Sequence, residues 1–189
     1  MTTGATAVGP RERLLEAASR LFYAEGINAV GVDRVLQQAN VTRASMYRHF
    51  SGKEELVVAY LKREDVTMHQ IWDEALAQAV SADHKLELAI EGIADDAMLR
   101  HTLGCPFIKA AGEFPDPAGP VRQVVTQHRA WFHHDLLTML TEAGREDVEL
   151  KASALAMLRD SLLVGSFLDD RQGARKTFVR TARWMAGLR

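Results

Sequence analysis

From Gly31 to Leu61 the chain reads GVDRVLQQANVTRASMYRHFSGKEELVVAYL, a pattern that few folds accommodate. Two apolar stripes at helical spacing, each too short to stand alone, flank a tight turn, and a third helix start follows. Val32, Val35, Leu36 and Ala39 form the first stripe. Asn40 tolerates the positive φ that a turn needs, and Thr42 can cap the next helix with its hydroxyl. The segment Arg43 to His49 makes a helix that only packing can hold, with Val41, Met46 and Phe50 as anchors. Those anchors leave Arg43, Ala44, Ser45, Tyr47, Arg48 and His49 for the outer face. Ser51 and Glu54 have capping-box spacing, so a long helix should begin near Gly52 or Lys53. Lys53 would then stand at a helix N-terminus, where free N–H groups and the dipole attract a phosphate.

Upstream, Pro10 suits a first helical position, and Leu14, Leu15, Ala17, Ala18, Leu21 and Phe22 share one face before Gly26 ends the helix. Basic and hydroxyl side chains on a short, packed second helix are what a helix-turn-helix offers to a major groove. Charge agrees. Residues 1–53 carry seven lysines and arginines against four acids, whereas the remainder carries sixteen against twenty-one. The net charge of −2 therefore hides a basic head on an acidic body. Such a chain would bind double-stranded DNA through a local patch.

The run Val41-Thr42-Arg43-Ala44-Ser45-Met46-Tyr47-Arg48-His49-Phe50, with Lys53-Glu54-Glu55-Leu56 after it, resembles the signature of TetR-type transcriptional regulators. The resemblance covers about residues 10–61 and departs from the usual pattern at three positions. Gly31 replaces a capping Thr or Ser that touches a phosphate, Asn40 a turn glycine, and Met46 a core leucine. The resemblance implies phosphate contacts from Thr42, Tyr47, His49 and Lys53. It also implies base readout by Arg43, Ala44, Ser45 and Arg48, with Arg34 flanking the groove. The chemistry is apt: arginine can pair bidentately with guanine, and an alanine methyl can meet thymine's.

Helical periodicity continues through the rest of the chain. Leu56, Val57, Tyr60, Leu61, Met68, Ile71, Trp72, Ala75, Leu76 and Ala79 mark one long helix that joins head to body. Asp83 is expected to cap the next, striped by Leu86, Ala89, Ile90, Ile93, Ala94, Ala97 and Met98, and Gly104 to stop it. Pro106 can open a short helix to about Gly112, and Pro115 to Pro120 is the clearest break. A long helix follows to Gly144, and two more cover roughly 147–168 and 172–187. The expectation is an all-α protein of about nine helices, with no strand alternation and no repeat. The expected parts are a disordered tail at 1–9, a helix-turn-helix domain at 10–61, and a ligand-binding and dimerisation domain at 62–189.

Residues 1–9 lack a basic start and an apolar run, and no stretch approaches membrane-spanning length, so neither signal peptide nor membrane partner is expected. A single cysteine fits a reducing cytoplasm. Ala152 and Ala156, then Ser161 and Gly165, are small residues spaced to admit a close helix. Leu155, Leu158, Leu162, Phe178, Met185 and Leu188 supply apolar area beside them. These faces could equally pack within the subunit. The resemblance favours a homodimer joined through the last two long helices, as a palindromic operator requires.

Met68, Trp72, Met98, Phe107, Phe114, Trp131 and Met157, with Cys105 and His128, are the residues expected around a pocket for a small, largely apolar inducer. Individually each could be ordinary core, and the resemblance supplies the collective claim. The segments Gly104-Cys105-Pro106-Phe107 and Glu113-Phe114-Pro115-Asp116-Pro117 also look like stretches found in some TetR-type regulators. His128, His133 and His134 lack the spacing that aligns metal ligands on a helix, so no metal or cofactor is expected. No phosphate loop, nucleophile elbow or catalytic carboxylate pair stands out, so the chain is not read as an enzyme. The function expected is ligand-released repression. Rival readings are a thiol redox regulator using Cys105 and a helical enzyme using His128.

Overall fold

The computed structural model describes residues 8–188, which form nine helices and no strand. In chain order these are α1 (Pro10–Glu25), α2 (Val32–Ala39), α3 (Arg43–Tyr47), α4 (Lys53–Leu76), α5 (Ala82–Leu99), α6 (Pro106–Glu113), α7 (Pro120–Glu142), α8 (Val148–Leu168) and α9 (Arg171–Met185). Of the tail expected at 1–9, only Val8 and Gly9 fall within the described residues, and both are exposed. No helix there is long and apolar enough to cross a membrane.

The head closes as its apolar spacing requires. Leu14, Leu15, Ala17, Ala18, Leu21 and Phe22 of α1 are all buried, and they meet Val35, Leu36 and Ala39 of α2 and Met46 and Phe50 around α3. Asn40 ends α2 in the left-handed region at φ 50°, a conformation its short amide side chain tolerates. Thr42 caps α3, its hydroxyl accepting the Ser45 N–H at 3.2 Å. Val57, Tyr60 and Leu61 of α4 complete this core, with the Phe22 and Tyr60 rings edge to face at 6.0 Å. The body packs α7 and α9 against α8, while α5 touches α4, α7, α8 and α9. Because α4 belongs to both layers, its tilt relates head to body.

Two caps differ from expectation. Since α4 starts at Lys53, the third helical position falls on Glu55, and Glu55 rather than Glu54 accepts the Ser51 N–H, at 2.6 Å. Ser81 caps α5 by accepting the His84 N–H at 3.1 Å, and Asp83 instead pairs with Arg145.

Candidate nucleic-acid interface and internal cavity

Helix α3 presents Arg43, Ala44 and Tyr47 to solvent, continued by Arg48 and His49, while Thr42 and Arg34 lie exposed at its flank. Lys53 opens α4 half-buried nearby in sequence. Ser45 is a correction. It turns inward with Met46 and is buried, because a five-residue helix held only by packing commits both positions to the core. The Arg43 guanidinium hydrogen-bonds Asp33, and Arg34 pairs with Glu25 at 2.7 Å. Both pairs are solvated and contribute little to stability, so a phosphate or guanine edge can displace the acids.

The head is tied to the body by α6. The Glu113 carboxylate, at the last residue of that helix, accepts the backbone N–H groups of Ile27 (2.9 Å) and Asn28 in the α1–α2 connection. Lys109, one turn earlier, donates to the Tyr23 carbonyl at 2.6 Å and lies over the Tyr23 ring. The Tyr23 hydroxyl accepts the Leu103 N–H at 2.8 Å. At the other end of α6, Phe107 stacks flat on His128 of α7, with ring centroids 3.7 Å apart and planes 4° apart.

His128 borders a narrow cavity of about 40 Å³ among α4, α5, α7 and α8. Met68, Trp72 and Trp131 line it as expected, joined by Phe132, Asp96 and Arg159. The remaining expected pocket residues stand elsewhere. Met157 lies 69% exposed on the outer face of α8, because α8 is apolar on two sides and periodicity alone could not orient it. Phe107 supports His128 from behind, Cys105 is buried with its Sγ 4.0 Å from Arg159, and Met98 and Phe114 pack partly buried without lining the cavity. The volume matches a water or two, far below the several hundred Å³ of a typical ligand pocket, so a ligand has to open it.

Of the cavity's polar groups, His128 was expected from the sequence, whereas Asp96 and Arg159 were not. His128 is fully buried, its Nδ1 2.8 Å from Asp65 Oδ1, while its Nε2 is buried without a partner. Burial, then the neighbouring Arg159 charge, hold the His128 pKa down at about 4 against the pull of Asp65, so the ring is neutral at physiological pH. His69 stacks on Trp131 and brings its Nε2 within 3.3 Å of the same Asp65 carboxylate, without hydrogen-bond alignment. Trp72 donates its indole N–H to Asp135. Asp96 gives Oδ2 to His101 Nδ1 at 2.6 Å and leaves Oδ1 buried and unpartnered. Burial opposes charge on His101, but hydrogen bonds to Asp96 and Glu64 outweigh it and raise its pKa. Arg159 is buried with its guanidinium over Phe132 and one nitrogen 3.3 Å from Asp160. Its signal in the sequence was a lone cation at an inward position of an apolar helix.

The expected dimer residues divide. Ala152, Leu155, Leu162 and Phe178 are closed inside the subunit, where α8 meets its neighbours, and are not available to a partner. A Cβ on Gly165 would sit 3.8 Å from Ala174, in ordinary contact, so this position faces α9 of its own chain. Ala156, Leu158 and Met185 are partly buried and Ser161 is exposed. The outward stripe of α8 is instead Leu150, Ala154, Met157, Ser161, Val164 and Leu168 at three- and four-residue spacing, with Trp184 of α9 76% exposed.

A short exposed helix packed behind a left-handed turn, carried on a helical body, defines a helix-turn-helix protein. The family model for bacterial regulatory proteins of the tetR family matches residues 14–60. The structure of SCO4454, a TetR-family transcriptional regulator from Streptomyces coelicolor, superposes with a TM-score of 0.90 at 37% identity, covering 94% of each chain. The transcriptional regulator SrpR of Pseudomonas putida is 25% identical over 73% of this chain and 71% of its own length. The transcriptional activator FasR of Mycolicibacterium smegmatis is 34% identical over 45% of this chain, which spans only 39% of that protein. The chain belongs to the TetR family. It is a helix-turn-helix transcriptional regulator and not an enzyme.

Proposed function

We propose that this regulator is a repressor that binds a palindromic operator as a homodimer and is released when a small molecule opens the cavity. The observation that carries this reading is the double engagement of α6, with Phe107 against His128 at the cavity and Glu113 and Lys109 on the head. A ligand entering beside Trp72 and Trp131 displaces His128 or Met68. The displacement passes through α6 and α4 to the α1–α2 connection, changing the spacing of the two heads. Ligand and operator must then weaken each other's binding by the same factor.

On the DNA, Arg43, Ala44 and Arg48 read bases, Thr42, Tyr47, His49 and Lys53 hold phosphates, and Arg34 flanks them. Ser45 supports α3 from within. The functional division falls near residue 61 inside α4, between a DNA-binding head and a ligand-binding, dimerising body. The outward α8 stripe with Trp184 forms the dimer contact, since a large apolar strip on a regulator of paired half-sites needs a partner. Burial of Cys105 speaks against a thiol switch. Selecting bound sequences from random duplex DNA, then screening small molecules for release of the selected operator, tests the proposal. A monomer that binds a single unpaired half-site, or an operator that no ligand releases, overturns it.

A further inference from the structure

We propose that the cavity takes an uncharged aromatic ring bearing hydroxyl groups, a phenol-class compound whose O–H donors complete Asp96 Oδ1 and His128 Nε2. This rests on the ligand-released reading above and names its ligand class. Asp96 Oδ1 and His128 Nε2 are the polar atoms bordering the cavity that are buried without a partner. Both are acceptors. The carboxylate can only accept while ionised, and its other oxygen is occupied by His101. On His128 the Asp65 carboxylate demands a donor at Nδ1, which fixes the tautomer and leaves Nε2 as a bare lone pair. A buried acceptor without a donor is costly, and a ligand that donates to it recovers that cost on binding.

Charge narrows the class further. An organic cation entering here meets the Arg159 guanidinium, which is 4% exposed and has few waters to shield it. An organic anion meets the Asp96 carboxylate, whose Oδ1 is buried. A neutral hydroxyl escapes both repulsions, and its oxygen can accept from Arg159 while its proton goes to an orphaned acceptor. The walls supply the ring preference. Trp72 lies edge-on to Trp131 at 6.2 Å and to Phe132 at 5.6 Å, a corner into which a third ring packs by edge and face. Met68 and the partly exposed Ile71 cover the corner with flexible side chains, which gives the small cavity a way to open.

Calorimetric titration of the full chain with four matched one-ring probes, catechol, toluene, benzoate and benzylammonium, tests this. Catechol should bind about tenfold or more tightly than toluene, and more tightly than either ion. Replacements His128→Phe and Asp96→Asn should each shrink the catechol-to-toluene affinity ratio severalfold, with circular dichroism confirming the fold, and an unchanged ratio in both overturns the donor argument. Toluene binding as tightly as catechol overturns the donor argument, and a tightest-binding ion overturns the charge argument. In either case, operator release by the winning probe leaves ligand control standing. If none of the four binds, the phenol class is wrong. Ligand control falls separately, only if the wider screen releases no operator.

Discussion

Removing the Glu113 carboxylate isolates the link between cavity and head. Its oxygens accept two backbone N–H groups, at Ile27 and Asn28, in a connection whose Ile27 and Val30 side chains are also buried in the core. A hydrogen bond to a charged acceptor contributes about 1.5–3 kcal/mol. The Asn28 amide lies in an exposed contact where water can replace the carboxylate, so Glu113→Ala should cost about 2 kcal/mol rather than the sum. In hydrogen exchange, protection of the Ile27 and Asn28 amides should fall by roughly thirtyfold, the same free energy read as an opening constant. Glu113→Gln, which keeps an oxygen without the charge, should fall between. Amides of Leu14, Phe22 and Leu61 should keep their protection, since the α1 and α4 core is intact. With an inducer in hand, Glu113→Ala should still bind it but release operator poorly. Unchanged protection at Ile27 and Asn28, or equal loss across the core, would refute the reasoning.

The two buried histidines should pull stability in opposite directions with pH. His128 is held at about 4, below its unfolded value, so stability is lost as pH falls from about 6.5 towards 4, and His128→Phe should flatten that limb of a denaturation series. His101 is raised, so its contribution is full below about 6.5 and is lost as pH rises through its folded pKa. His101→Gln should remove that dependence, and an unchanged profile would discount the Asp96 contact. Met157→Lys places a charge in the outward α8 stripe and should raise the dimer dissociation constant at least tenfold by sedimentation. An unshifted dimer would put the interface elsewhere. Cys105→Ser should leave operator release by a small molecule unchanged in an anisotropy assay, and loss of release would favour the thiol reading.

How much was legible depended on how local the determining physics was. The head's apolar residues, the Thr42 cap and the left-handed Asn40 follow from spacing and side-chain chemistry within a few residues, and the structure has all of them. Ser45 misled because α3 is so short that its inward face is set by α1 and α2, not by its own period. On α8, Leu155, Leu162 and Leu163 face in while Met157, Val164 and Leu168 face out, so an apolar pattern on both sides carried no orientation. The cavity was half visible: Met68, Trp72, His128 and Trp131 are bulky residues at inward positions. Its polar half depends on partners from different helices, such as Asp65 with His128 and Trp72 with Asp135, and no sequence spacing announces those. Arg159 carried a fainter signal than His128, a cation at an inward position of α8.

The assignment of α3 as the reading helix is tested most directly by comparing Arg43→Ala with Lys53→Ala on selected and unrelated duplexes across a salt series. Arg43→Ala should cost about 1–3 kcal/mol on the selected operator and little on unrelated DNA, so discrimination shrinks. Lys53→Ala should weaken both duplexes alike and reduce the salt slope by about one unit. Equal loss of discrimination from both replacements, or none from Arg43→Ala, would contradict the account.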